Sequence, residues 1–461
     1  METNNKTNFK KFSQGYTFKI MMLVALVLLL LIPLSMISGL IYERNRTADS
    51  AEAEIMEAWG SQLMEAGPVI AIPGVRTDQL RTRTEREGGR IEEKIEEVKT
   101  LFTLIITPQN LNIKADFTTE IRRRGIFSVP LFSGGLTLSG AFDSAGALAS
   151  LSPDEEVSFE KAELIIVLSS QKGIRKIESA RWNTRELFVP SEELFFQPGN
   201  RGHSLFRKGT SGIYAALPAF SGGEAAFDIN IAIQGGQLVR FLPVGQDTHV
   251  DIATDWASPS FQGAFLPGGS NITDSGFDAV WDISYLSRDI PLFWKTESDY
   301  RDYSASMFGV NFFRAIDTYS LNTRAVKYAI LFLIIPFLTL FLLEVFTKKR
   351  IHPVPYLLAG IANVIFYLLL LSFSEQMQFY FAYLLAALGV TAMMTLYSRS
   401  LLPSWNKSWY MGLVTTISYV LLYAVLNAES HALLIGSVGA FMVVGLVMYI
   451  TRKLEWYGPD E

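Results

Sequence analysis

Residues 325–346 form a run of about 22 mostly apolar residues, enough for one helical crossing of a bilayer core, and Lys348, Lys349 and Arg350 follow at once. Basic residues directly after a spanning helix stay on the cytoplasmic side, so this helix runs inward and ends inside. A long polar stretch precedes it, and that stretch therefore needs a second crossing upstream.

Residues 18–41 supply it. Residues 1–17 carry Lys6, Lys10 and Lys11, Lys19 follows, and an uncharged apolar run then continues to Tyr42. The run is longer than the apolar part of a usual signal peptide, and Ile37 and Gly39 make a poor cleavage site. The expectation is an uncleaved signal anchor with its N-terminus inside, kinked at Pro33. After 325–346, further spans are expected at 355–373, 377–397, 411–426 and 432–450. The connections at 348–350 and 399–407 and the tail at Arg452 and Lys453 are basic. Those at 374–376 and 427–431 hold Glu375 and Glu429 but no Lys or Arg. Basic and non-basic loops alternate throughout, which predicts six spans with both termini cytoplasmic. Trp405, Trp409, Tyr410, Trp456 and Tyr457 sit where interfacial aromatics are expected.

The polar stretch reads differently. Ala48, Ala51, Ile55, Trp59 and Leu63 recur every three or four residues, predicting a helix over 43–66 with one apolar face. Residues 67–73, GPVIAIP, read as a short buried strand, and the charge-rich 77–99 as a solvated loop or helix face. From 101 to 285 strict alternation dominates. Leu111, Ile113, Ala115 and Phe117 face one way, as do Phe227, Ile229, Ile231 and Ile233, and then Phe277, Ala279, Trp281 and Ile283. Turn sequences at Ser133, Ser221, Gly235 and Pro267 separate the runs, the pattern of antiparallel strands in a β-sandwich, as one domain or two. The expected class is thus an α+β membrane protein: a cytoplasmic tail (1–17), an anchor helix (18–41), a β-rich extracytoplasmic domain (42–324), a five-helix bundle (325–451) and a cytoplasmic tail (452–461).

Motifs for chemistry are sparse. A net charge of −5 without a basic stripe sets nucleic acid aside, and the absence of cysteine removes thiolate catalysis and Cys-based zinc sites. His203, His249, His352 and His431 are far apart, and neither a zinc-protease, a serine-elbow nor a phosphate-loop motif occurs, so no metal and no cofactor is expected. Asp251 with Asp255 and Asp278 with Asp282 share strand faces, which the watered side of a sheet explains better than a catalytic pair. Trp256 and Trp281 could stack on a glycan, but Trp281 falls on the core face with Phe277 and Ile283. Within the spans, Glu344 lies four residues before Lys348, favouring an ion pair at the helix end over a proton relay. Asn363 is polar but neutral and suits a bond between helices, while Pro336 and Gly360 are expected to interrupt theirs.

The segments NTRAVKYAILFL, LLEVFTKKRIHPVPYLLAG, FYLLLLSFSE, LLYAVLNAESHALLIGS and YITRKLEWY together resemble the CreD family of inner-membrane proteins, as do GPVIAIP, DWASPSFQGAFLP and GFDAVWDISYL upstream. His352, Pro353, Glu375 and Glu429 match family motif positions. The resemblance implies a bacterial inner-membrane protein of cell-envelope integrity, tied to colicin tolerance and to a two-component response that affects β-lactam sensitivity. It implies no catalytic residue. The expectation is a non-enzymatic protein whose outer domain binds a periplasmic glycan, lipid or protein and whose bundle contacts membrane lipids. A transporter or channel, and an envelope lipid or glycan enzyme, are the competing readings.

Overall fold

The computed structural model describes residues 16–86, 90–187, 211–217, 220–296, 302–312, 318–347, 349–401, 405–428 and 432–452. The chain divides into two compact units, one made of Met1–Asp49 with Ile316–Glu461, the other of Ser50–Ala315.

The first unit is helical. Its helices are α1 (Tyr16–Trp59, whose residues from Ser50 onward belong to the second unit), α2 (Thr318–Thr347), α3 (Pro353–Ser374), α4 (Phe379–Leu401), α5 (Trp405–Asn427) and α6 (Ala432–Thr451). All six are long and apolar enough to cross a membrane. α1 is one continuous helix through Pro33 to Trp59, so the expected anchor and the expected 43–66 helix are a single element, which stops before Leu63 begins a strand. A proline costs a helix less where lipid and neighbouring helices surround it. α2 packs on α3 and α5, and α4 on α3 and α5. The apolar window of α2 is 61% buried and that of α6 only 6%, so α2 is the central post and α6 lies at the rim. Leu30, Leu34, Ile37 and Ile41, spaced by four, three and four, form the one stripe of α1 that enters the bundle core. Gly360 does not interrupt α3. It lets neighbours approach closely, since a methyl group there would collide with Leu30 of α1 and Phe337 of α2.

The second unit is a β-sandwich. In chain order its strands are β1 (Leu63–Arg86), β2 (Arg90–Ile106), β3 (Asn110–Arg124), β4 (Phe127–Asp143), β5 (Glu155–Val157), β6 (Glu163–Leu168), β7 (Ile174–Trp182), β8 (Arg185–Glu186), β9 (Ser211–Ala216), β10 (Glu224–Gly236), β11 (Leu238–Leu242), β12 (Asp247–Thr254), β13 (Pro259–Gly263), β14 (Gly269–Thr273), β15 (Gly276–Ser284), β16 (Phe293–Thr296) and β17 (Phe308–Phe312). One sheet runs β13-β17-β11-β1-β2-β16 with β5, β6 and β9 branching from it, and the other β14-β15-β12-β3-β4-β10-β7-β8. Pairing is antiparallel except for β1 with β11 and β3 with β12. The alternating runs behave as the period of two requires. Phe117, Ile231 and Trp281 point inward while Asp116, Asp228 and Asp282 point out. Aromatic pairs close the gap between sheets: Phe132 of β4 lies 5.3 Å from Phe312 of β17, and Trp281 of β15 lies 5.6 Å from Phe308 of β17. One continuous core fills the space, so the region is a single sandwich.

Two departures from the sequence reading follow from strand length. GPVIAIP is the buried centre of the 24-residue β1 rather than a short strand. The charge-rich 77–99 segment is neither loop nor helix. Its described residues pair as an antiparallel ribbon from Thr77 with Lys99 to Arg86 with Arg90, beyond the reach of β5. Ten residues of strand make this arm roughly 33 Å long.

Candidate functional site

Local sequence sets the first feature of the helical unit, a charged clamp at each end of the apolar part of α1. Lys19 and Arg44 stand 25 residues apart on α1, about 38 Å of helix, which exceeds the ~30 Å hydrocarbon core. Both cations therefore reach the interfaces, where a charge is cheap to hold. Lys19 donates to the Glu344 carboxylate near the end of α2 and, at 3.0 Å, to the Ile351 carbonyl. Tyr356 of α3 donates its hydroxyl to the same carboxylate at 2.8 Å, and its ring lies 5.8 Å from the Lys19 ammonium. At the opposite end Arg44 grips Glu375 with two bonds of 2.7 and 2.9 Å, the fork geometry that a guanidinium and a carboxylate share. Tyr319 adds a third bond to Glu375 at 3.1 Å, and beside it Asn322 donates to Ser374 at 2.9 Å. Tyr319 and Glu344 are themselves 25 residues apart on α2, so antiparallel α1 and α2 match in span.

Between the clamps the bundle core holds a neutral network. Asn363 of α3 donates to the Phe332 carbonyl at 2.8 Å and accepts from the Tyr419 hydroxyl at 2.9 Å, while Tyr383 donates to the Tyr419 carbonyl at 2.6 Å. This ties α2, α3, α4 and α5 together by hydrogen bonds, the interaction that substitutes for the missing hydrophobic drive between helices in lipid. His352 sits just before Pro353, and its Nδ1 lies 3.4 Å from the Val354 amide, a cap on the first turn of α3.

The sequence candidates thus fall at three places. Glu344 joins Lys19 and Tyr356; its expected partner Lys348 lies outside the described residues, as does Glu429. Glu375 forms the second clamp, Asn363 the central network and His352 a helix cap, and the structure does not gather the four into one pocket. Sequence reasoning missed Lys19, Arg44, Tyr319 and Tyr356 as partners. The signal was present in the basic residues flanking the first span, which are as far apart as the acidic positions at the two ends of the bundle.

In the sandwich, the carboxylates at 251, 255, 278 and 282 stay at the surface. Asp255 accepts from the Thr119 amide and hydroxyl at 2.7 and 2.8 Å, and Asp282 pairs with His249 at 2.7 Å. Among the described residues no group of three His, Cys, Asp or Glu is placed to hold a metal. A carboxylate is also buried in the sandwich interior, Glu65 of β1. It shares the inward face with Leu63, and its strand partners are Phe241 and Leu168. Both its oxygens are fully buried without a hydrogen-bond partner, and burial pushes its carboxyl well above the usual carboxylate range.

The sequence profile described as "Inner membrane protein CreD" matches residues 15–457. The chain belongs to the CreD family. It is 28% identical to "Inner membrane protein CreD" of Escherichia coli (strain K12) over 442 residues, covering 95% of this chain and 93% of that protein. The match spans both units, so the sandwich and both clamps lie within the family's extent. The chain is accordingly an inner-membrane, multi-pass protein tied to the envelope.

Proposed function

We propose that this protein supports cell-envelope integrity without catalysis, with the sandwich on the periplasmic side, both termini in the cytoplasm, and the β1–β2 ribbon binding an envelope component. The ribbon carries the reading. Among the described residues it pairs only with itself beyond Thr77, and Leu80, Ile95 and Val98 are exposed along it. A two-stranded ribbon is marginal alone in water, so exposed apolar side chains on it favour a partner that covers them. Residues 77–99 hold seven acidic and six basic side chains, a near balance that suits a protein surface better than a polyanion. The alternation of basic and non-basic loops supports the orientation. The clamps place their own four charges at the ends of the bundle, which favours an anchor over a charged translocation route.

The test is purification of the full-length protein in native lipid particles with mass spectrometry of all bound species, beside a variant in which 77–99 is replaced by a short turn. A protein partner retained by the first and lost by the second supports the proposal. Equal recovery from both, or turnover of an envelope lipid or glycan by the purified protein, overturns it. The chain has no cysteine, so a single engineered one at Lys99 reports orientation by labelling from outside the inner membrane.

A further inference from the structure

A groove of about 270 Å³ lies between α2, α3, α4 and α5. Its floor, including Leu340 and Met394, is buried, whereas its rim at Leu358, Ile361, Ile365 and Met393 is exposed. It therefore opens sideways, toward hydrocarbon once the helices are in a bilayer. An apolar cavity of roughly 150 Å³ stays dry and accepts a benzene ring, so this larger one is unsuited to water and open to an alkyl chain. Its position along α3, roughly 8 to 18 Å from Pro353, places it within the leaflet next to the α2–α3 connection.

The mouth of the groove is basic. Leu401, which lines it, accepts a 2.7 Å hydrogen bond from the Lys349 ammonium, so the cation is held at the groove's end. An ammonium has three donors, and Lys349 is exposed, as is the adjacent Arg350. Glu344 is the one acidic side chain among the described residues at this end of the bundle, and Lys19 and Tyr356 already engage it. An apolar slot in one leaflet that ends on an exposed ammonium matches a molecule with an alkyl tail and a phosphate of net negative charge.

We propose that the groove binds one anionic glycerophospholipid, with an acyl chain along Leu358 to Ile365 and the phosphate on Lys349. A zwitterionic headgroup would bring its own cation against Lys349 and Arg350, which gives the site its selectivity.

Native mass spectrometry of the full-length protein in neutral detergent tests this, with phosphatidylglycerol and phosphatidylethanolamine of identical chains added in turn. One phosphatidylglycerol is expected to be retained at saturation, in preference to phosphatidylethanolamine. Lys349→Gln should cut that preference about fivefold, the effect of one cation near a charged headgroup. Met393→Trp, at the exposed rim, should lower retention of both lipids by narrowing the slot. Equal retention of the two headgroups, uptake without saturation, no response to either substitution, or a dimer holding no lipid would each overturn the proposal.

Discussion

Replacing Glu65 by Gln should change how the sandwich responds to pH. A carboxyl that is protonated in the folded state and free to ionise in the unfolded state makes stability fall as pH rises. In the window from the ordinary carboxylate range up to the raised folded-state value, the unfolded chain releases a proton that the native chain keeps. Below that window the contribution is fully present, and through it stability drops by about 1.4 kcal/mol per pH unit. Both oxygens of Glu65 are buried without a hydrogen-bond partner among the described residues, and burial is the cause of the upward shift. The Gln variant carries no titratable proton and should lack this slope, so the two proteins diverge with rising pH in favour of the variant. Glu65→Leu should go further, gaining about 1–3 kcal/mol by removing a buried polar group that has no partner. Hydrogen exchange of β1 and β11 amides in the full-length protein, corrected for intrinsic rates, reads the difference between pH 5 and pH 8. Parallel curves for wild type and Glu65→Gln would refute the reasoning, because they would mean that the Glu65 carboxyl is ionised or solvated in the folded state.

Three further outcomes are expected in the helical unit, each read by reversible unfolding in mixed micelles. Lys19→Met or Glu344→Gln should each cost about 3 kcal/mol by stranding the other charge, and the double variant should cost clearly less than their sum; additivity would show that the two do not interact. Gly360→Leu should separate α1 from α3 and lower stability by about 1–3 kcal/mol, and crosslinking yield between α1 and α3 should fall with it; unchanged yield would count against close packing there. A double-mutant cycle on Asn363 and Tyr419 should give a coupling of about 0.6 kcal/mol, the usual worth of such a bond in a bundle, and a value near zero would remove the network from the account of the core.

The sequence made the spans and the sandwich legible because both rest on local signals, the spans on apolar length with flanking charge and the strands on a period of two. Lys348 to Arg350 marked the end of α2 through charge alone, and Phe227 to Ile233 announced β10 through alternation. The long elements were harder to read. α1 was divided at residue 42 because its composition changes from apolar to charged there, yet a helix needs only backbone hydrogen bonds and continues through such a change to Trp59. The 77–99 segment alternates weakly and is highly charged, so its strand pairing depends on β1 and β2 aligning over many residues, a non-local property. The same limit hid the clamps. Glu344 has a basic partner 325 positions away in Lys19, a pairing that no local spacing announces.

The clamps also explain how α1 keeps a defined place in the bundle. Its apolar window is only 17% buried, and lipid tails satisfy Leu and Ile as well as neighbouring helices do, so packing alone would leave its rotation and depth poorly fixed. Gly360 sets a close contact in the middle, against Leu30, and Lys19 and Arg44 then fix the two ends. A rigid helix held at three points along one face can neither turn nor slide without breaking at least one charged pair. Each pair sits where the hydrocarbon ends, so it is less screened than in bulk water yet avoids the full cost of a charge in the bilayer centre. Two ionic contacts on one sparsely packed helix specify a single register for α1 against α2 and α3, and that register is what a ligand outside the membrane would have to alter to be felt within it.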